Sequence, residues 1–394
     1  MLAKLLKNKL TDETGRRLYK PTIFDLKKSA DRKSLSHILK KDSIRTVIDD
    51  FNQQREELAD VKNPRLMNRS FGVNPVRSQT PKASADPRAD QTSNGVKLEK
   101  EKLNSGIILR EGVWVYYPWL ACLVHTPDTK SYSRLRISRN FNLIFPKEQK
   151  KFAEIRIGIA GLNVGNPAAV CLALEGGAVE MKFADNDILS LSNLNRFRAG
   201  ITDLGLNKAV LSARQVYEIN PFAKIEVLEN GISQDRINKF LLKPRIDILI
   251  EEMDNLKLKI LIREEARKNK IPVLMVTGNG PNVIIDVERF DLDQKAPLLN
   301  GHLRPEVIKK IQQMDASKTP FKERVFLARD FIGAKYLTKR LRNSFPLVGR
   351  KLASIPQLAE SSFLRGAALC YFVRQIAIGK KVSSCRYYLN LDQI

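Results

Sequence analysis

The sequence predicts an α/β protein, a parallel sheet with helices on both faces, preceded by an N-terminal helical or mixed extension. Three observations predict it. From Ile155 the chain reads strand, turn, helix, strand, as IRIGIAG, AAVCLALEGGA and VEMKFAD. The strands are largely apolar, which suggests a parallel sheet covered on both faces. The chain has 394 residues, 43% of them hydrophobic, enough for one large domain with appendages or for two domains.

Taken in order, residues 1–62 place apolar side chains at helical spacing, as in SLSHILKKDSIRTVIDDFNQQREELADV, and predict an N-terminal region of amphipathic helices. Residues 63–105 are rich in Pro, Ser, Asn and charge and nearly free of large apolar side chains, so they read as a flexible linker. Residues 106–150 begin with GVWVYYPWLACLVH, which gathers both tryptophans among β-branched neighbours and predicts a packed strand or hairpin. The same segment then carries an arginine-bearing stretch into the core. Residues 151–394 form the main domain.

Composition excludes several classes. Cys122, Cys171, Cys370 and Cys385 lie far apart with no C-x-x-C pair, which argues against a structural zinc, a disulfide framework or a thioredoxin-type site. That usage fits a reducing cytoplasm. No apolar run approaches the roughly 20 residues needed to span a bilayer. The net charge of +25 attracts phosphate-rich or acidic partners, RNA among them, and ten Lys or Arg stand against Glu323 and Asp330 within residues 318–351. His37, His125 and His302 show no metal-like spacing.

The chemistry is carried by the turns after the strands. GLNVGN, residues 161–166, supplies Gly161 and Gly165, with Asn166 as the expected helix N-cap and Pro167 in the first turn. A helix N-terminus leaving such a turn is an anion site. Asp185 follows Gly165 by 20 residues at the end of the second strand. There a carboxylate can accept both ribose hydroxyls of a nucleotide. Arg196 in SNLNR, 11 residues further, and Lys208 at the start of the next helix supply two cations suited to a triphosphate. The strand IDILIEEMDN ends in Asp254, a hard carboxylate able to hold Mg²⁺ between phosphate oxygens or, equally, to cap the following helix.

These residues together resemble the ThiF/MoeB and ubiquitin-activating adenylyltransferase superfamily, whose fold is Rossmann-like. The resemblance implies that Asp185 holds the ribose, with Gly161, Asn163, Gly165 and Asp187 around the nucleotide. It implies that Asn193 and Arg196 of SNLNR and Lys208 meet the phosphates, that Asn195 also lies at the nucleotide, and that Asp254 binds the catalytic magnesium. Arg139, in SRN, resembles an arginine that reaches the neighbouring protomer's ATP, which implies a homodimer. YYPWLACLVH, REEARKNKIPVLM, VERFDLD and PQLAESSFLRGA are similar to a bacterial ThiF-type subfamily often fused to nitroreductase-like domains. ATP and Mg²⁺ are the implied cofactors.

The chain departs from the pattern where Asn163 and Asn166 replace glycines of the loop, and where no cysteine occurs between Cys171 and Cys370 to form a thioester. GNGPNV offers Asn279 and Asn282 as uncharged candidates for substrate contact. Adenylation needs positioning, a metal and phosphate cations, and no cysteine. The expected function is therefore ATP-dependent adenylyl transfer to a carboxylate, borne by a peptide or small-protein terminus, a small acid or a modified tRNA. A nucleotide-binding pseudoenzyme and a nicotinamide or flavin oxidoreductase are the other classes the sequence leaves open.

Overall fold

The computed structural model describes residues 17–40, 43–64, 111–315 and 318–393. The chain falls into two compact units, residues 1–141 and 142–394, a division that runs through the expected 106–150 segment. All but the first two residues of the expected linker, 63–105, lie outside the described residues, as does the start of the N-terminal region.

The first unit is a four-stranded sheet in the order β1-β3-β4-β2. Its strands are β1 (Thr22–Phe24), β2 (Thr46–Asp49), β3 (Val113–Tyr117) and β4 (Cys122–Thr126). Its helices are α1 (Ser29–Lys40), α2 (Phe51–Lys62) and α3 (Thr129–Arg136). Of the expected helical or mixed extension the mixed form is observed, because within the described part of residues 1–62 β1 pairs with β3 and β2 with β4 beside the two helices. Short runs such as TIF and TVID become strands only when the distant hairpin supplies their partners. His125 is sandwiched between Phe51 and Trp114, with ring centroids 4.1 and 4.3 Å away, and meets Asp49 through Nδ1 at 2.9 Å. Its role is structural.

The second unit opens with α4 (Pro146–Glu154) and holds a seven-stranded sheet in the order β11-β10-β9-β8-β5-β6-β7. The strands are β5 (Arg156–Ala160), β6 (Glu180–Ala184), β7 (Lys224–Leu228), β8 (Ile248–Glu251), β9 (Val273–Asn279), β10 (Asn282–Glu288) and β11 (Cys385–Leu389). Strands β5 to β9 are mutually parallel, whereas β10 and β11 add antiparallel pairs at one side. The helices are α5 (Leu162–Glu175), α6 (Lys208–Ile219), α7 (Ile237–Leu242), α8 (Leu256–Lys268), α9 (Pro305–Gln313), α10 (Phe321–Ile332), α11 (Lys339–Ser344) and α12 (Ala359–Ala377). Among the described residues no helix is long and apolar enough to cross a membrane.

The strand order turns back between β5 and β8, and ligands of such sheets collect at the carboxyl ends on either side of that point. The sheet is held there by a wholly buried charge network. Arg263 of α8 pairs with Glu251 at the end of β8 and, at 2.8 Å, with Glu288 of β10, while Lys259 meets Glu251 at 3.1 Å. Burial alone would raise the Glu251 carboxyl, yet Lys259 and Arg263 overcome it and hold the group below its ordinary value. Removing one member would strand an uncompensated charge in the core.

Candidate functional site

The loop after β5 starts at Gly161, whose φ of +91° lies in the region that favours glycine. A Cβ there would also collide with the backbone of Glu252, so glycine is required where the turns after β5 and β8 touch. Helix α5 begins at Leu162, one turn before the expected cap. This corrects the reading of Asn166 and Pro167. Asn166 is buried within the helix and donates to Ser212 Oγ at 2.9 Å and Gln215 Oε1 at 2.7 Å, and Pro167 lies inside the helix. The helix can start early because Asp185, from the end of β6, accepts from the Leu162 N–H at 2.6 Å. Gly165 serves packing, since a Cβ there would run into Ile159 of β5.

Asp185 is 8% exposed, and its other oxygen accepts from the Asp187 N–H at 2.8 Å. Burial raises this carboxyl against the lowering effect of those two hydrogen bonds and of Lys208. Lys208, also buried, donates to Asp187 Oδ2 at 2.8 Å. Asn207 caps α6 by accepting from the N–H groups of Ala209 and Val210 and donates to the Asp185 carbonyl at 2.9 Å. Strand end, loop and helix start are thereby tied into one unit.

The SNLNR turn is folded on itself and fastened to the segment before α12. Asn193 Oδ1 accepts from the N–H and hydroxyl of Ser190, both at 3.1 Å. Asn195 donates to the Gln357 carbonyl at 3.1 Å and accepts from Arg196 at 2.9 Å, while Ser362 donates to the Arg196 carbonyl at 3.0 Å. Burial lowers the Arg196 guanidinium, and the neighbouring Asp254 charge partly restores it. Asp254 is exposed, and helix α8 takes its cap from Asn255, which accepts from the Leu258 N–H at 3.1 Å. The capping role weighed for Asp254 thus belongs to its neighbour, and the Asp254 carboxylate faces outward beside Arg196. Arg139 belongs to the first unit, exposed in the turn Ser138–Asn140.

The structure therefore brings together Gly161, Asn163, Asp185, Asp187, Lys208, Asn195, Arg196 and Asp254 around the carboxyl ends of β5, β6 and β8. It also adds residues the sequence reading missed. A cavity of about 180 Å³ lies beside Asn163 and Asp254 and is lined by Glu252, Gln357 and Arg365 among apolar neighbours. Arg365 sits on α12, 3% exposed, and Glu252 is 8% exposed. An arginine in the otherwise apolar SFLRGAAL stretch was the available signal. Asn279 and Asn282, expected near substrate, instead fasten other segments. Asn279 binds Tyr336 and Thr338 at 2.9 and 2.7 Å, and Asn282 binds Asp392 and Leu391, both at 2.8 Å.

Where α5 meets α12, the sulfurs of Cys171 and Cys370 and a Glu175 oxygen lie within 4.8 Å of one another. Hydrogen bonding with Cys370 lowers the Cys171 thiol, and the same bond, with burial, pushes Cys370 up. The pair joins α5 to α12, a proximity that two distant cysteines do not announce in sequence.

Residues 136–282 match the model of the ThiF family. An uncharacterized protein of Mycobacterium tuberculosis (strain CDC 1551 / Oshkosh) is 33% identical over 282 residues, 71% of this chain and 38% of that protein. The tRNA threonylcarbamoyladenosine dehydratase of Escherichia coli (strain K12) is 28% identical over 182 residues, 44% of this chain and 67% of that protein. The sulfur carrier protein ThiS adenylyltransferase of Bacillus subtilis (strain 168) is 28% identical over 149 residues, 37% of this chain and 43% of that protein. A crystal structure of the E. coli dehydratase has 18% identity and a TM-score of 0.44, over 62% of this chain and 95% of that one. The chain spans less than half the length of the mycobacterial relative.

Proposed function

The chain carries a ThiF family domain over residues 136–282, and from that premise we propose that it adenylates a carboxylate with ATP and Mg²⁺. A carboxylate oxygen attacks the α-phosphorus, the bond to the bridging oxygen of the β-phosphate breaks, and pyrophosphate leaves with that electron pair. The single observation that carries this reading is the convergence of Asp185, Lys208, Arg196 and Asp254 at the point where the strand order turns back.

The residues fit both ligands. Asp254 is an exposed carboxylate not used as a helix cap, and it would hold Mg²⁺, which neutralises charge building on the phosphates. Lys208 and Arg196 supply fixed positive charge, and the buried Arg196 Nε has no hydrogen-bond partner among the described residues. Asp185 would take the ribose. Arg139 would serve a partner protomer's nucleotide in a homodimer, and the reducing cytoplasm is the compartment that the four free cysteines favour. No cysteine is assigned a role, so the acyl-adenylate would pass directly to its acceptor.

A second reading places the carboxylate on tRNA. It is favoured by the net charge of +25 and by the stretch shared with the tRNA-modifying relative. Salt-sensitive binding of unfractionated tRNA would support it, and its absence at low salt would remove it.

The test is thermal unfolding with Mg-ATP, with ATP plus chelator and with NAD, on the wild type and on Asp254→Ala. A ligand at about 100 times its dissociation constant stabilises by about 2.7 kcal/mol. A magnesium-dependent ATP response lost in Asp254→Ala is the expected result, followed by carboxylate-dependent pyrophosphate exchange. A larger response to NAD, or none to ATP, would overturn the proposal.

A further inference from the structure

The cavity beside Asp254 is built for something other than ATP. Its walls are mainly apolar, with Met253, Met275, Phe331, Leu341, Ile355 and Pro356 prominent among them. Its volume of about 180 Å³ slightly exceeds the about 150 Å³ that accommodates benzene in an engineered cavity. Asn163 and Asp254, which the nucleotide reading puts beside the phosphates, are part of its lining. Buried polar groups of the wall point to an anion. Arg365 donates to the Ser361 carbonyl at 3.2 Å and reaches Gln357 Oε1 only at 3.4 Å, which leaves its fork incompletely used. Burial lowers its guanidinium, the neighbouring Glu252 carboxyl partly restores it, and the positive charge of Arg196 lowers it further, so an anion placed beside both arginines would meet two cations.

The site is also shaped for close approach. A Cβ on Gly278 would lie 2.7 Å from Ser361 Oγ, so the end of β9 packs closely on α12 there, and the Arg365 guanidinium lies within ordinary contact distance of the same position. Asn163 Oδ1, a buried atom of a lining residue, has no hydrogen-bond partner among the described residues.

We propose that this cavity is the acyl subsite, in which Arg365 anchors the carboxylate and the apolar walls take a group the size of a leucine or phenylalanine side chain. The inference rests on the adenylation reading and names its substrate class as carboxylic acids with an apolar body next to the acid. A glycine-ended tail would leave the cavity empty and forfeit its contacts.

The experiment compares phenylacetate, isocaproate, acetate and phenylacetamide, together with N-acetyl-glycyl-leucine and N-acetyl-glycyl-glycine, by thermal midpoint and by pyrophosphate exchange. Phenylacetate and isocaproate should exceed acetate and phenylacetamide in both. Arg365→Gln should lose about tenfold to a hundredfold in apparent affinity for the acids, Arg365→Lys less, with the Mg-ATP response retained as proof of folding. Ala328→Phe, which fills the cavity from its wall, should lose the larger acids and keep acetate. A response to the leucine-ended peptide above that to the free acids assigns the acid to a peptide terminus, and the reverse assigns it to a small molecule. Equal use of both peptides, wild-type acid binding by Arg365→Gln, or no response to any acid would overturn the proposal. Acid binding without any Mg-ATP response would instead overturn the adenylation reading and leave the acyl subsite standing.

Discussion

Lys208 and Asp187 form an ion pair at 2.8 Å between a lysine side chain 5% exposed and a carboxylate 54% exposed. A triphosphate reaching for that ammonium has to displace a carboxylate already in place. Lys208→Met should therefore cost about tenfold or more in apparent ATP affinity, measured by titration. Its effect on urea unfolding should stay near about 1 kcal/mol, because the freed Asp187 is already half in water.

Asp254 and Asn255 are neighbours with separable jobs. Asn255→Ala removes the α8 cap and should cost about 1 kcal/mol of stability, with the magnesium-dependent ATP response intact. Asp254→Ala should leave unliganded stability unchanged and abolish that response. Thermal midpoints with and without Mg-ATP distinguish the two, and an exchange of the two phenotypes would refute the assignment.

Glu252 makes stability depend on pH. Burial raises its folded-state carboxyl from 4.5 to about 8, against the lowering effects of Lys259, the Val276 N–H and Arg365 and with the raising effect of Glu251. Above 4.5 the unfolded chain releases this proton while the folded chain keeps it. The contribution is therefore fully present below that value and is lost as pH rises to about 8. The slope in that window is about 1.4 kcal/mol per pH unit. Glu252→Gln should remove this component from urea unfolding measured across the window, and an unchanged slope would place the proton elsewhere.

Gly161→Ala should destabilise by about 3 kcal/mol, since the new side chain meets both an unfavourable φ and the Glu252 backbone. Where the variant still folds, its ATP response should be weaker than that of the wild type, because the start of α5 is displaced.

The sheet was legible because β5 and β8 are short, largely apolar runs and β6 follows a helix of expected length, with Asp185 directly after β6 and Asp254 three residues after β8. The start of α5 was not legible. Its first N–H is satisfied by Asp185 from another strand, so the local signals of Asn166 and Pro167 pointed one turn too late. The strands of residues 17–62 were hidden for a related reason, as their partners lie in a distant hairpin. Arg365 and Glu252 became candidates only through a cavity that no single segment encodes. Asn279 and Asn282 look alike in sequence to a binding pair, and only their partners reveal them as fasteners.

Gly366 of α12 sits directly against Pro167 of α5, so close that any Cβ at Gly366 would strike the proline ring and its carbonyl. At that point α12 approaches α5 with no side chain of its own, and the cleft acquires one close-packed jaw that bears both the loop at Gly161 and the guanidinium of Arg365. Whatever the cavity takes therefore lies between this fixed pair of helices and the stretch from α10 to Pro356, which supplies Ala328, Phe331, Leu341, Ile355 and Pro356 to the opposite wall.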